Sequence, residues 1–547
     1  MTTRIAVLLA LGLALGAAEE DAFLEAWNGI KGEAIAKHIA VLASDEYEGR
    51  APGTPGEEKT VAYVMKAFED VGLSPYLQPV PLVEAKIAGT PKLALNVRGR
   101  KFVPRLMDDF VPRLSQPSAH IHLKKSPLVF AGYGVVAPEH GWDDYGDMDL
   151  TGKTVFILRG DPGTARGDTS LFGASAASTY GQGVNKLKEA AKRGAAAAIS
   201  IFIESGAGVP WAIFKGGGLG QTQHFLAPDS SDRKEPELGA AILVTEAQAR
   251  ALFAAAGLSL DEQVAAAGKR GFRAREFPGA AAIDFDAEAH AFDSHNVIAV
   301  LEGSSAPEES EVLMAHWDHM GVNPSLPGDK IFNGAVDNAS GVATLIEIAR
   351  AYKAMPRAPR RSVVFVATTA EERGLLGSEY LSRHPVKPLA KTAAAIAIDA
   401  LFPFGPYSRM SMTGFGFTDL EVPLSEAAAR LGRRIQDDGD PKAGTFSRAD
   451  NYPWAKKGVP GFLSVGGAPN EDSPDSNAAL AGIYRYVERD YHRPTDEYDA
   501  KTWRMDGIEG DAKILFEFTW KVADDTRMPN WTWNAPYRAL GDARLGR

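Results

Sequence analysis

The 547-residue chain contains no cysteine. This excludes a disulfide framework and a lipid-modified cysteine anchor, and leaves stability to apolar cores that a chain of this length can build. Basic residues are not in excess. With 59 Lys and Arg against 70 Asp and Glu, the formal net charge of -11 leaves no general basic surface for nucleic acid. Beyond the N-terminus no apolar run approaches the ~20 residues that would span a bilayer. His-Glu-x-x-His, Gly-x-Ser-x-Gly and the phosphate loop Gly-x-x-x-x-Gly-Lys are all missing.

The N-terminus has the outline of a signal peptide over 1–18. Arg4 supplies the positive start, Ile5 to Leu15 the apolar stretch, and Gly16-Ala17-Ala18 the small residues before Glu19-Glu20-Asp21. A periplasmic or secreted protein is expected, with no membrane anchor after signal cleavage. Apolar content of 45% and charged content of 24% suit a globular protein, and the length calls for two or three units.

From about Asp21 to Gly72 the periodicity is helical, with Ile35, Ile39 and Leu42 on one stripe, and a Gly/Pro turn from Gly49 to Gly56. From Ser294 onward, strand-like runs alternate with helical ones: Asn296 to Leu301, Val312 to Ala315, Val363 to Ala367 and Ala393 to Ile398. Their unalternating Val, Ile and Ala predict strands covered on both faces. Pro127 to Gly268 carries strand–helix–strand patterning, a Gly216-Gly217-Gly218 loop and no convergent His or carboxylate cluster, so it reads as a non-catalytic insert. The fold expected is α/β: a mixed, mostly parallel twisted sheet with helices on both faces. Residues 20–115 and 280–540 would form a discontinuous catalytic domain, and 120–275 the insert.

Five segments of the C-terminal half carry hard metal donors. They are His316-Trp317-Asp318-His319, Asn333 to Asn338 with Asp337, Ala370-Glu371-Glu372, Ile398-Asp399, and Tyr491-His492-Arg493-Pro494. Three fall at the carboxyl ends of predicted strands, where open α/β sheets bind ligands. Each has a plain structural reading alone. Trp317 suits packing, His316 a hydrogen-bonded surface position, Asp337 a helix cap, and Glu371-Glu372 a helix N-terminus. Together they meet what two zinc ions require: His nitrogen, carboxylate oxygen, one shared carboxylate and an open position for water. One member of Glu371-Glu372 would then bind metal while its neighbour takes a proton from water. Asp318, two residues past His316, has the spacing of an orienting partner for that imidazole. The acidic turn from Asp437 to Asp440 is read as solvated, and the polar loop from Gly466 to Asn477 as a pocket border.

With these segments the chain resembles the co-catalytic dizinc exopeptidases of the bacterial secreted aminopeptidase type, including those with a protease-associated insert domain. The resemblance is strongest over His316 to Gly321, Asn333 to Gly341, Thr369 to Glu379 and Tyr491 to Asp499. The insert is matched at Phe130 to Gly134 and Trp142 to Tyr145, and the N-terminal turn at Ala43 to Gly56. It implies a zinc aminopeptidase cleaving N-terminal residues from peptides through a two-metal-bound hydroxide. His316 and Asp399 would hold one zinc, Glu372 and His492 the other, and Asp337 would bridge. Glu371 would be the general acid/base, Asp318 the orienting carboxylate, and Tyr491 a group facing the tetrahedral intermediate. The Asp337-Asn338 peptide would be cis, and the insert would act as a lid or wall beside the site. Two places depart from the family pattern: Ala449-Asp450-Asn451 stands where relatives often show Ser-Asp-His, and Ala397 stands in place of an Asn two residues before Asp399. Both are expected to bear on substrate contacts. The alternatives on the same scaffold are a glutamate-releasing carboxypeptidase, a glutaminyl cyclase-like enzyme and a metal-free binding protein.

Overall fold

Alternation along each strand decides how the sheet is covered. In the computed structural model Val297, Ala299, Leu313, Ala315, Val363, Phe365 and Ile396 enter one buried cluster, while Ile298, Val312, Met314, Val364, Val366 and Ala395 enter another. Successive side chains point to opposite faces, so a strand apolar at every position must be buried on both. Each fully buried Leu, Val or Phe contributes about 1.5–3 kcal/mol toward that arrangement.

The structure describes residues 18–117, 120–163, 171–172, 180–203, 211, 223–228, 236–437, 445–468 and 474–547. Residues 1–17 of the expected signal peptide, the Gly216 to Gly218 loop, Asp438 to Asp440 of the acidic turn and 469–473 of the polar loop lie outside them. Described residues up to Val80, from Asp293 to Asp437 and from Thr445 to Arg547 form one compact unit, and those from Pro81 to Phe292 a second.

In the first unit the strands are β1 (Arg275–Leu301, by its C-terminal end), β2 (Ala306–His316), β3 (Arg361–Thr368), β4 (Thr392–Ile398), β5 (Arg409–Met412), β6 (Arg434–Asp437) and β7 (Gly461–Ala468). Their order is β6-β5-β7-β4-β2-β3-β1. The central pairs β3–β2, β2–β4 and β4–β7 are parallel, while β1–β3 and β5–β7 are antiparallel. The expected mixed, mostly parallel sheet is observed. Helices α1 (Gly32–Leu42), α2 (Pro55–Asp70), α3 (Ser340–Ala354) and α6 (Asp506–Asp524) pack on one face. Helix α4 (Leu376–Arg383) supplies Leu381, and α5 (Asn451–Ala455) Trp454, to the other.

The second unit has a parallel core of Thr154–Leu158, Ala197–Phe202 and Ala240–Thr245. Helix Gly183–Lys192 lies between the first two of these strands and buries Lys186, Ala190 and Ala191. Two helices there start at side-chain caps, Thr245 and Ser259, each accepting a backbone N–H three residues on. Strand His120–Phe130 stops at Phe130, because Gly132 and Gly134 take left-handed φ of 58° and 67° and turn the chain.

Candidate metal centre

Parallel strands β2, β3 and β4 end at one edge, and the register decides who meets there. His316 lies opposite Thr368, and Met314 opposite Ala397, which brings His316 beside Asp399 two residues further on. Asp337 arrives from the loop between β2 and α3. There Gly341 is required by close approach, since a Cβ would stand 2.3 Å from Asn338 Oδ1 and 2.6 Å from the Ile398 carbonyl. Asn338 donates to that carbonyl and accepts from Gly341 N, both at 2.9 Å, tying the Asp337 loop to the end of β4. The Asp337-Asn338 peptide is cis, as the resemblance implied. Three non-glycine residues beside the donors are held at left-handed φ: Ala370 (52°), Ala400 (53°) and His492 itself (56°). Such strain persists only where the surroundings enforce it, and it clusters at functional sites.

The donors converge in two halves. His316 Nε2 stands 3.2 Å from Asp337 Oδ1 and 3.2 Å from Asp399 Oδ1. His492 Nε2 stands 3.1 Å from Asp337 Oδ2 and 3.2 Å from Glu372 Oε2. The two oxygens of Asp337 thus face different imidazoles. Two ligands ~2.0–2.2 Å from a tetrahedral ion are roughly 3.3–3.6 Å apart. The observed edges fall within a few tenths of an ångström of that range, so the donor set fits a zinc ion in each half.

The protonation balance follows from crowding. Burial alone would raise Asp337, but hydrogen bonds from His316 and His492 hold its carboxyl well below the usual range. Burial, and then the neighbouring Asp399 and Glu372 carboxylates, push Glu371 well above it, against the pull of His316. Asp399 is raised by burial in the same way. Tyr491 stacks on His492 with centroids 3.9 Å apart, and burial followed by the Asp337 charge raises its phenol.

Asp318 holds a different partner from the one its spacing suggested. His316 Nδ1 is paired with the Asp318 backbone carbonyl at 3.0 Å, and the carboxylate is 3.8 Å away. That carboxylate accepts the backbone N–H of Glu371 at 3.0 Å and of Glu372 at 3.3 Å. It therefore fixes the Glu371-Glu372 turn, and burial raises its own carboxyl to about 6.

Four contributors had no role in the sequence reading. His319 lies in the same string as His316, and its Nδ1 is 2.6 Å from Glu372 Oε1. Asp496 accepts the N–H groups of Val336 and Asp337 at 2.9 and 3.1 Å, and Tyr486 donates to it. Arg50 donates to the carbonyls of Trp317, Leu42, Asn333 and Gly334. Asp450 accepts from Thr368 at the end of β3. Only His319 had a local signal, its adjacency to a donor segment. Two of the residues that depart from the family pattern meet each other: Ala397 and Ala449 pack with Leu463 in one small buried cluster. Their contact is apolar.

Among known proteins, residues 296–513 match the model described as Peptidase family M28. A "probable zinc metalloprotease" of Pyrenophora tritici-repentis is 32% identical over 153 residues, 26% of this chain and 33% of that protein. The mouse "Aminopeptidase NAALADL1" is 32% identical over 111 residues, 19% of this chain and 13% of that protein. The chain thus spans a third or less of the length of these relatives. A solved aminopeptidase from Aneurinibacillus sp. strain AM-1 superposes with a TM-score of 0.52 at 19% identity, covering 92% of this chain and 96% of that one, which establishes likeness of fold.

Proposed function

We propose, from the match of residues 296–513 to the model of peptidase family M28, that this protein is an exported zinc aminopeptidase acting on N-terminal residues of peptides. One observation carries the reading: Asp337 turns one oxygen to His316 and the other to His492, each half being completed by its own carboxylate, Asp399 or Glu372. His316 and Asp399 would hold one zinc, and Glu372 and His492 the other, with Asp337 shared. Bound there, the two ions would supply Lewis-acid polarisation of the scissile carbonyl and a water of lowered pKa.

The protein's own groups do the rest. Glu371 is half-buried and raised in pKa, so it can take a proton from the attacking water and return it to the leaving amine. Asp318 keeps that carboxylate in place through the two backbone amides. Tyr491, stacked on His492 with a raised phenol, remains a neutral donor toward the developing oxyanion. Export rests on the charge order of residues 1–18. The second unit is read as a protease-associated domain on the strength of Phe130 to Gly134 and Trp142 to Tyr145.

The test is digestion of an unblocked octapeptide and its N-acetylated twin by the zinc-loaded protein, followed by mass spectrometry. Stepwise shortening from the N-terminus of the free peptide alone is expected. Shortening of both from the C-terminus would replace the reading with a carboxypeptidase. Cyclisation of an N-terminal glutamine without cleavage would replace it with a cyclase.

A further inference from the structure

A second group of imidazoles and carboxylates lies in the other unit, just outside the stretch whose sequence lacked one. Strand His120–Phe130 pairs antiparallel with β1, and the register sets His122 opposite Asp284 and His120 opposite Asp286. Residues two apart on a strand share a face, so all four side chains stand on one side of the ladder.

Their contacts are not those of two independent ion pairs. His122 Nδ1 is 2.5 Å from Asp284 Oδ1, and its other nitrogen, Nε2, is turned toward Asp286 Oδ1 at 3.5 Å. His120 Nδ1 touches that same oxygen. Asp286 Oδ1 is shielded from water, and both imidazoles face it. Lys92 lies 3.6 Å from Asp284 Oδ2 and steadies that carboxylate. A carboxylate on one imidazole nitrogen with the other nitrogen free is how proteins orient a metal-bound histidine. The 3.5 Å edge from His122 to Asp286 is that of two ligands on a tetrahedral zinc, roughly 3.3–3.6 Å. His120 is 80% exposed, so it can swing to admit an ion. One donor atom from each of His120, His122 and Asp286 lies within 4.8 Å of the others.

We propose that His120, His122 and Asp286 form a zinc site on the second unit, with Asp284 orienting His122 and water completing the coordination. The ion would clip the two strands where exposed ion pairs contribute little by themselves. Imidazole and carboxylate donors suit zinc among the divalent transition ions. The site does not depend on the peptidase reading, because none of its residues belongs to the candidate catalytic centre.

The test is zinc titration of the full-length protein, stripped with a chelator, against a chromophoric competitor. H120Q/H122Q is expected to bind one zinc equivalent fewer than the unsubstituted protein while hydrolysing peptide at the same rate. D284N, which keeps all three ligands, is expected to weaken that equivalent on the order of 10–100-fold. Equal stoichiometry and affinity across the three proteins would overturn the proposal, however many ions the catalytic half holds.

Discussion

Nδ1 of His319 lies 2.6 Å from Oε1 of Glu372, and both side chains are sealed from solvent. Oε2 of the same carboxylate faces His492 Nε2 at 3.2 Å. His319 thus occupies one oxygen and leaves the other for a metal, a division of labour that tunes ligand orientation. We expect H319A to lower zinc affinity on the order of 10–100-fold, with peptidase activity returning as free zinc is raised. Activity measured across a zinc-buffer series would decide it. A zinc dependence unchanged from the unsubstituted protein would reduce His319 to packing.

Glu371 and Glu372 are neighbours in sequence but differ in protonation. His319 and His492 counter burial at Glu372 and lower its carboxyl, whereas Glu371 is raised. The proposed acid/base role therefore suits Glu371 better than Glu372. E371Q should keep its zinc content and lose about 10²–10⁴-fold in kcat, the usual contribution of a positioned acid/base. Metal analysis alongside steady-state kinetics separates the two effects. Loss of zinc in step with activity would instead make Glu371 a ligand.

The convergence of the candidate donors was legible because strand ends announce themselves. Apolar runs closing on His316 or Asp399 place a polar group at a sheet edge, and burying it without a partner would be costly. What could not be read was the supporting frame, because it joins residues far apart in sequence. Arg50 meets the Trp317 carbonyl across 267 positions, and Asp496 meets the Val336 amide across 160. No local pattern encodes such a pairing. The pairing of Ala397 with Ala449 was hidden for the same reason, since it depends on β4 and the start of α5 coming together.

Arg50 is fully buried and among the described residues has no side-chain carboxylate as hydrogen-bond partner; its guanidinium is spent on four carbonyls between 2.6 and 2.8 Å away. Burial lowers its pKa to about 10, so it remains charged at neutral pH. Trp317 follows His316, and Gly334 precedes the Asp337 turn, so one cation holds both donor loops. A buried carbonyl left unpaired costs ~1–3 kcal/mol. R50M should therefore lose about 3 kcal/mol or more of stability even if water re-pairs some of them. Urea unfolding monitored by tryptophan fluorescence would show it. A midpoint matching that of the unsubstituted protein would mean that the loops hold themselves.

Helix α4 begins a few residues after Glu372, and Glu379 on it is gripped from two sides. Lys456 Nζ lies 2.7 Å from Oε2 and Arg383 Nη2 3.0 Å from Oε1, with the carboxylate only 17% exposed. Burial pushes its carboxyl up, but Lys456 and then Arg383 more than offset that and pull it down to about 2. A carboxylate depressed in the folded state adds stability that is complete above its unfolded pKa, near 4.5, and is lost as pH falls toward 2. The contribution at neutral pH is on the order of 2–3 kcal/mol, somewhat reduced by the partial exposure of both cations. E379Q should therefore unfold at a lower temperature than the unsubstituted protein at pH 7, and the gap should narrow steadily between pH 4.5 and 2. Taking the difference between two proteins cancels the other carboxylates that titrate over the same range. A gap that stays constant from pH 7 to pH 3 would show that the glutamine disturbs packing and that the two ion pairs contribute nothing.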